Sequence, residues 1–137
     1  MNALYREIKL ELADAIMSGF PRKKNVRTRL QHVWDGYVSW GVKHPEQRRV
    51  LAQLQVSGML SKESIAAGSA PFVEMQSTIR DAIKRHILRA DLPSELISKT
   101  MAALAEATMD LIVPKPAMAN KYRNSGFEIY WAGIARK

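Results

Sequence analysis

Apolar side chains recur at three- and four-residue intervals along most of the chain, which is the spacing of one face of an α-helix. Leu4, Ile8 and Leu12 begin the pattern, and glycines and prolines interrupt it. The segments between the interruptions predict six helices. They cover approximately residues 2–19, 25–42, 45–56, 61–90, 94–113 and 117–135, and the fourth contains an irregularity at Gly68–Pro71.

The ends of these helices carry recognisable signals. Asn2 and Ser61 are placed to cap the first and fourth helices, and either Asp91 or Ser94 is placed to cap the fifth. Pro45 suits the first position of the third helix. These signals support the helical assignment.

No segment alternates between apolar and polar residues, and no Asn-Gly or Asp-Gly dipeptide marks a hairpin. The predicted fold class is therefore all-α, with helices longer and less regular than those of a simple four-helix bundle. A chain of 137 residues is expected to form a single domain over residues 1–137.

The last two predicted helices carry apolar residues on more than one face and small residues between them. Such helices at a chain end suggest burial against a second copy of the chain. The alternative is that both faces pack inside one monomer. The predicted dimer interface comprises Ala103, Ala107, Gly126, Phe127, Tyr130, Trp131 and Ile134.

Composition narrows the possible functions. The chain has no cysteine, which excludes disulfides, iron–sulfur clusters and thiolate zinc sites and favours the cytoplasm. It contains 21 Lys and Arg against 13 Asp and Glu, for a formal charge of +8. This charge permits two interpretations, an ordinary basic surface or a nucleic-acid partner. No apolar run is long enough for a membrane span.

The sequence contains no recognisable catalytic, metal or cofactor motif. His32, His44 and His86 lie on different predicted elements without metal-ligand spacing. We therefore expect no catalytic residues, no metal, no cofactor and no enzymatic activity.

Aromatic residues form a stripe on the second helix. Trp34, Tyr37 and Trp40 fall within an arc of about 120° at 100° per residue. The stripe is either plain core or the wall of a small-molecule pocket, since aromatic walls with a few polar groups are typical of such pockets. Tyr5 and Lys9, one turn apart on the first helix, add a ring and a cation.

Four segments together resemble the regulatory part of TetR-type repressors, particularly multidrug-responsive members. They are NALYREIKLELAD, HVWDGYVSWGVKHPEQRRVLAQLQVSGMLSKES, ALAEATMD and GFEIYW. In their order they span almost the whole chain. The resemblance implies a homodimeric, all-helical C-terminal domain that binds a small hydrophobic effector. It also implies that DNA is bound by a separate helix-turn-helix domain, which we expect to be absent from this sequence.

The resemblance also implies that Tyr5, Lys9 and Trp34 line the ligand site, to which we add Tyr37 and Met101. Glu106 and Asp110 are either partly buried groups that join neighbouring helices or part of a solvated face. The chain is thus expected to sense a ligand and dimerise. Alternatives are a basic nucleic-acid-binding protein and a helical protein that pairs with an intact homologue and inactivates it.

Overall fold

A computed structural model, which describes residues 1–136, contains seven α-helices and two short 3-10 turns. The all-α class predicted above is confirmed, and no strand occurs within the described residues. None of the helices in this part of the chain is both long and apolar enough to cross a membrane. The helices are α1 (Asn2–Met17), α2 (Val26–Lys43), α3 (Pro45–Val56), α4 (Lys62–Ser69), α5 (Val73–Lys84), α6 (Ser94–Ile112) and α7 (Ala119–Ile134).

The prediction of one fourth helix that continues past Gly68–Pro71 to residue 90 is wrong. A 3-10 turn at Ala70–Phe72 separates α4 from α5, because Pro71 has no backbone N–H to continue the helix. Helix α5 ends at Lys84, and His86 adopts a left-handed conformation with φ of 57°.

The segment after α5 pairs with the end of α7 instead of continuing as a helix. The N–H of Arg89 donates to the carbonyl of Ile134 at 2.9 Å, and the N–H of Arg136 donates to the carbonyl of Ile87 at 3.1 Å. This isolated antiparallel bridge, centred on Leu88 and Ala135, ties the C-terminal helix to the loop before α6. The connection satisfies backbone groups that a continued helix would have used internally.

The predicted cap at Ser61 is confirmed, and Asn25 forms a second cap that was not predicted. The side chain of Asn25 accepts from the N–H of Thr28, at 2.8 Å, at the start of α2. The hydroxyl of Ser61 accepts from the N–H of Ser64, at 3.1 Å, at the start of α4. Both bonds satisfy donors that the first helical turn leaves free.

Two other predicted caps are wrong. Asn2 is the first residue of α1, and its side-chain oxygen accepts from the N–H of Ser61 at 2.8 Å, which joins α1 to α4. Helix α6 follows Pro93 and begins with Ser94, without a side-chain cap. The side chain of Asn2 accepts from Ser61 instead of from the first turn of its own helix. Spacing in the sequence cannot show such a contact between distant residues.

Helix α2 is the centre of the molecule and packs against α1, α6 and α7. Its residues Leu30, Trp34 and Val38 are almost completely buried. At Gly36, a Cβ would lie only 2.8 Å from the carbonyl oxygen of Ala15. The absence of a side chain there allows the backbones of α1 and α2 to approach closely, which sets the position of α1 beside the cavity described next.

Candidate functional site

A cavity of about 620 Å³ lies among α1, α2, α3, α4, α5 and α6. Its volume falls within the range of small-molecule sites. Ala52, Val56, Lys99 and Ala102 lie at its edge and are exposed, so the cavity opens to solvent between α3 and α6. The apolar residues of its wall are Leu12, Ile16, Val33, Tyr37, Trp40, Leu51, Ala52, Val56, Leu60, Ile65, Phe72, Met75, Met101 and Ala102.

An ion-pair network closes one side of the cavity. Glu106 accepts from the hydroxyl of Tyr37 at 2.7 Å and from Nε of Arg48 at 2.6 Å. Arg48 also donates to Asp110 at 2.5 Å. Glu106 and Asp110 therefore join α6 to α3, and Glu106 also joins α6 to α2. Of the two alternatives left open by the sequence, Glu106 is a partly buried group, whereas Asp110 belongs to an exposed face.

The network holds its members in defined protonation states. Burial, followed by the hydrogen bond to Glu106, raises the pKa of the Tyr37 hydroxyl well above its usual value. Burial lowers the pKa of Arg48, but its bonds to Asp110 and Glu106 outweigh that effect and the net shift is upward. Tyr37 thus remains a neutral donor, and Arg48 a cation held by two carboxylates.

Lys9, one of the predicted ligand-binding residues, lines the cavity from α1. Its Nζ lies 4.8 Å from the centroid of the Phe72 ring, a cation–π contact. No ion pair in the described part of the chain includes Lys9. Burial lowers the pKa of its ammonium group, so a partly desolvated cation without an ion-pair partner lines the cavity.

Tyr5 is buried beside Lys9 but does not line the cavity. Both side chains lie over Gly68 of α4, where a Cβ would be 2.7 Å from Cε2 of Tyr5 and 3.2 Å from Cγ of Lys9. The ring that Lys9 meets belongs to Phe72, not to Tyr5. Tyr5 therefore supports the cavity from behind, by packing α1 on α4.

Trp34 does not line the cavity either, which corrects the predicted ligand site. Its indole is fully buried and stacks on Tyr130 at 6.3 Å, with Phe127 at the same distance. Its Nε1–H donates to the carbonyl of Arg123 at 2.8 Å. Helix α7 thus covers Trp34 completely, and replacing it with alanine would remove core contacts before it affected any ligand.

Of the five residues predicted to bind ligand, Lys9, Tyr37 and Met101 share the cavity wall. Trp40, the last ring of the aromatic stripe, also lines it, and its buried Nε1–H has no acceptor within the described residues. Phe72 and Arg48 are wall residues that the prediction missed. The spacing of Arg48, Leu51 and Gln55 on one face of α3 was a usable signal for Arg48.

The described residues offer no evident metal site. Among them, no group of three or more His, Asp and Glu side chains is close enough to share an ion. His44 Nε2 lies 3.8 Å from Glu11 Oε1, which makes at most an ordinary ion pair.

A second feature is an uncharged groove between α6 and α7. Ala103 and Ala107 are exposed there, and a Cβ at Gly133 would meet no atom within 4 Å. Leu96 and Ile129 beside them are 51% and 65% exposed. We call this surface the α6–α7 groove; it is lined by Leu92, Leu96, Ile97, Thr100, Ala103, Leu104, Ala107, Ile129, Tyr130, Gly133 and Ile134.

Other residues of the predicted dimer interface are buried within their own chain. Gly126 and Phe127 pack against Trp34 and lie outside the groove, so the structure removes them from the predicted interface. Tyr130 and Ile134 are buried and form the floor of the groove.

Trp131 is half-buried on another side of α7. Its ring lies parallel to that of Phe127 at 6.4 Å, and the guanidinium of Arg27 is 5.9 Å from its centroid. It is likewise absent from the groove. The two-faced character of α7 thus arises largely from packing within one chain.

Solved structures that share this fold include proteins from three bacteria. A protein assigned to the TetR family of transcription regulators from Shewanella sp. PV-4 has a TM-score of 0.82 and 17% identity, over 99% of this chain and 73% of its own. A TetR-family transcription regulator from Marinobacter aquaeolei VT8 has a TM-score of 0.85 and 16% identity, over 99% and 71% of the two chains.

A protein of unknown function from Rhodococcus sp. RHA1 has a TM-score of 0.83 and 16% identity, over 98% of this chain and 71% of its own. No protein-family model matches the chain. At these identities the comparisons establish the fold, which is shared with TetR-family transcription regulators over nearly the whole chain.

Proposed function

We propose that this chain is the ligand-sensing and dimerisation domain of a TetR-type transcriptional regulator, acting without catalysis in the cytoplasm. The observation that carries the proposal is the cavity of about 620 Å³ within a fold shared with TetR-family transcription regulators. Its apolar wall suits a hydrophobic small-molecule effector. Lys9, Tyr37 and Met101 contact that effector, while Tyr5 and Trp34 hold the surrounding helices.

A bound effector would act on α1 directly, because Lys9, Leu12 and Ile16 of that helix belong to the cavity wall. In a regulator with a helix-turn-helix domain joined to α1, a displacement of α1 changes the spacing of the paired DNA-reading domains. The effector shifts this balance only by its different affinity for the two conformations. Repression that is relieved by several drugs would follow from an adaptable apolar wall.

Binding of Nile red, a neutral hydrophobic fluorophore, tests the cavity. Ala102 is exposed at the cavity edge, and Ala132 is exposed on α7 away from the cavity. Both alanines are helical, so replacement with tryptophan has a similar intrinsic cost at each. We expect Ala102→Trp to weaken dye binding by about tenfold or more, a loss of 1.4 kcal/mol, and Ala132→Trp to leave it unchanged. Equal affinities for the two variants would refute this location of the site.

We also propose that the α6–α7 groove is the interface of a homodimer. The groove contains no charged side chain, although the chain carries a formal charge of +8. Two copies can therefore meet there without opposing like charges, and a two-fold axis would bury Leu96 and Ile129 of both. Exposed apolar surface of this kind is the usual mark of association.

Sedimentation at micromolar concentration tests the dimer. Ile129→Glu introduces a charge into the groove, whereas Leu10→Glu introduces the same charge at a similarly exposed position on α1, with exposed fractions of 65% and 62%. We expect wild type and Leu10→Glu to sediment as dimers and Ile129→Glu as a monomer. A monomeric wild type, or a dimeric Ile129→Glu, would contradict the proposed interface.

A further inference from the structure

The single carboxylate of the cavity wall is paired with a cation of the same wall. Glu106 is the one acidic residue among the residues that line the cavity. One of its oxygens accepts from Tyr37, and the other accepts from Arg48. Each oxygen of this carboxylate therefore already accepts one hydrogen bond, and its charge is paired with that of Arg48.

The cations of the wall are not balanced in the same way. Arg48 is paired with Glu106 and Asp110. Lys9 and Lys99, in contrast, form no ion pair within residues 1–136. Lys99 is exposed at the edge, whereas Lys9 is half-buried against Phe72. Lys9 is thus the partly desolvated positive charge inside the cavity.

A second unpaired donor lies in the same wall. Trp40 is 4% exposed, and its Nε1–H is the one buried side-chain polar atom of the cavity lining that lacks a partner in the described chain. Buried donors normally find an acceptor. Two groups of the wall therefore lack a partner: the Lys9 ammonium group could pair with an anion, and the Trp40 Nε1–H could donate to an oxygen.

We propose that the effector is an apolar molecule with a single anionic group, such as a carboxylate, that pairs with Lys9. This inference rests on the proposed function, since it names the chemical class of the ligand for the same cavity. The apolar part lies along Leu12, Leu51 and Met101, and the anionic oxygens face Lys9. An organic cation would be repelled by Lys9, and the one carboxylate of the wall is already paired with Arg48.

Three probes of equal chain length separate charge from hydrophobicity: decanoate, decanol and decylammonium, with affinities measured by titration calorimetry. For the wild type, we expect decanoate to bind about tenfold more tightly than decanol, equivalent to 1.4 kcal/mol for a charge-assisted hydrogen bond. Decylammonium should bind more weakly than decanol.

Lys9→Met keeps most of the side-chain volume and removes the charge. We expect it to abolish the preference for decanoate, so that decanoate and decanol bind to this variant with equal affinity. Lys62→Met is the matched control, since Lys62 is exposed on α4 and does not line the cavity. It should preserve the preference for decanoate. Circular dichroism melts confirm that both variants fold.

Other results of these titrations would overturn the assignment of an anionic effector, the proposed function, or both. Equal binding of decanoate and decanol to the wild type, or a preference for decanoate that survives Lys9→Met, overturns the assignment while the proposed function stands. If no probe binds and Nile red also fails to bind, the proposed function falls together with this inference.

Discussion

A methyl group added at Gly126 should destabilise the chain, because the core has no room for it. A Cβ at this position would lie 2.7 Å from Cζ2 of Trp34 and 2.8 Å from Oγ1 of Thr108. The indole cannot move away freely. Its Nε1–H is bonded to the carbonyl of Arg123, and its face is stacked on Tyr130.

The magnitude follows from two opposing effects. Overpacking of this kind costs about 1–3 kcal/mol, while replacing a helical glycine with alanine gains about 1 kcal/mol. Gly133, on the same helix, has no atom within 4 Å of its ideal Cβ position and experiences the gain without the clash. We therefore expect Gly126→Ala to be less stable than Gly133→Ala by about 1–3 kcal/mol.

Urea unfolding followed by circular dichroism measures this difference. Because Gly133 borders the proposed dimer interface, each variant is unfolded at two protein concentrations, which separates association from folding. If Gly126→Ala proves as stable as Gly133→Ala, then Trp34 is not held as tightly against α7 as the structure shows, and the reasoning about the core beneath this helix is refuted.

Three further predictions concern charged and polar groups. Glu106→Gln removes the ion pair between residue 106 and Arg48 but leaves the pair between Arg48 and Asp110. Urea unfolding should therefore show a loss of about 1 kcal/mol in the free energy of unfolding. An unchanged midpoint would mean that the network does not stabilise the fold. Burial lowers the pKa of the Lys9 ammonium group, so the penalty on folding is complete below the folded-state pKa and disappears as the pH rises from that value to 10.5. Lys9→Met should therefore raise stability at pH 7 by roughly 0.5–2 kcal/mol, with the gain shrinking towards pH 10.5; a pH-independent gain would contradict this. Burial raises the pKa of the Tyr130 hydroxyl, so its contribution to the stability of the folded chain is complete below pH 10.0 and decreases as the pH rises further. Tyr130→Phe should therefore reduce the fall in melting temperature above that pH in thermal melts. An unaltered fall would mean that other groups cause it.

Local patterns in the sequence were sufficient for the all-α class and for most helix positions. Helices α2 and α3 were predicted to within about one residue of their bounds, because apolar periodicity, Asn25 and Pro45 act within a few residues. The region after Ser61 was mispredicted. Its apolar spacing continues through a break at Pro71, and the backbone pairing of Leu88 with Ala135 depends on a partner far along the chain.

The candidate site divides in the same way. The sequence indicated Lys9, Tyr37 and Met101 correctly as neighbours in the cavity wall, and the TetR-type resemblance located the relevant helices. It could not distinguish Trp34 from Trp40, which lie in one arc of α2. Helical periodicity shows on which side of a helix a residue lies, but not which neighbouring element packs against that side. Helix α7 covers the first ring, whereas the cavity adjoins the second.

Gly126 and Gly133 show most clearly why the sequence alone does not determine which positions are buried. Seven residues apart, they lie on nearly the same face of α7, and a glycine inside a helix allows another part of the molecule to approach closely. The sequence determined that this face carries no side chain at either point. Only the tertiary structure decided that one point meets the indole of Trp34 and the other faces open space, because burial is set by which distant elements pack at each level along the helix.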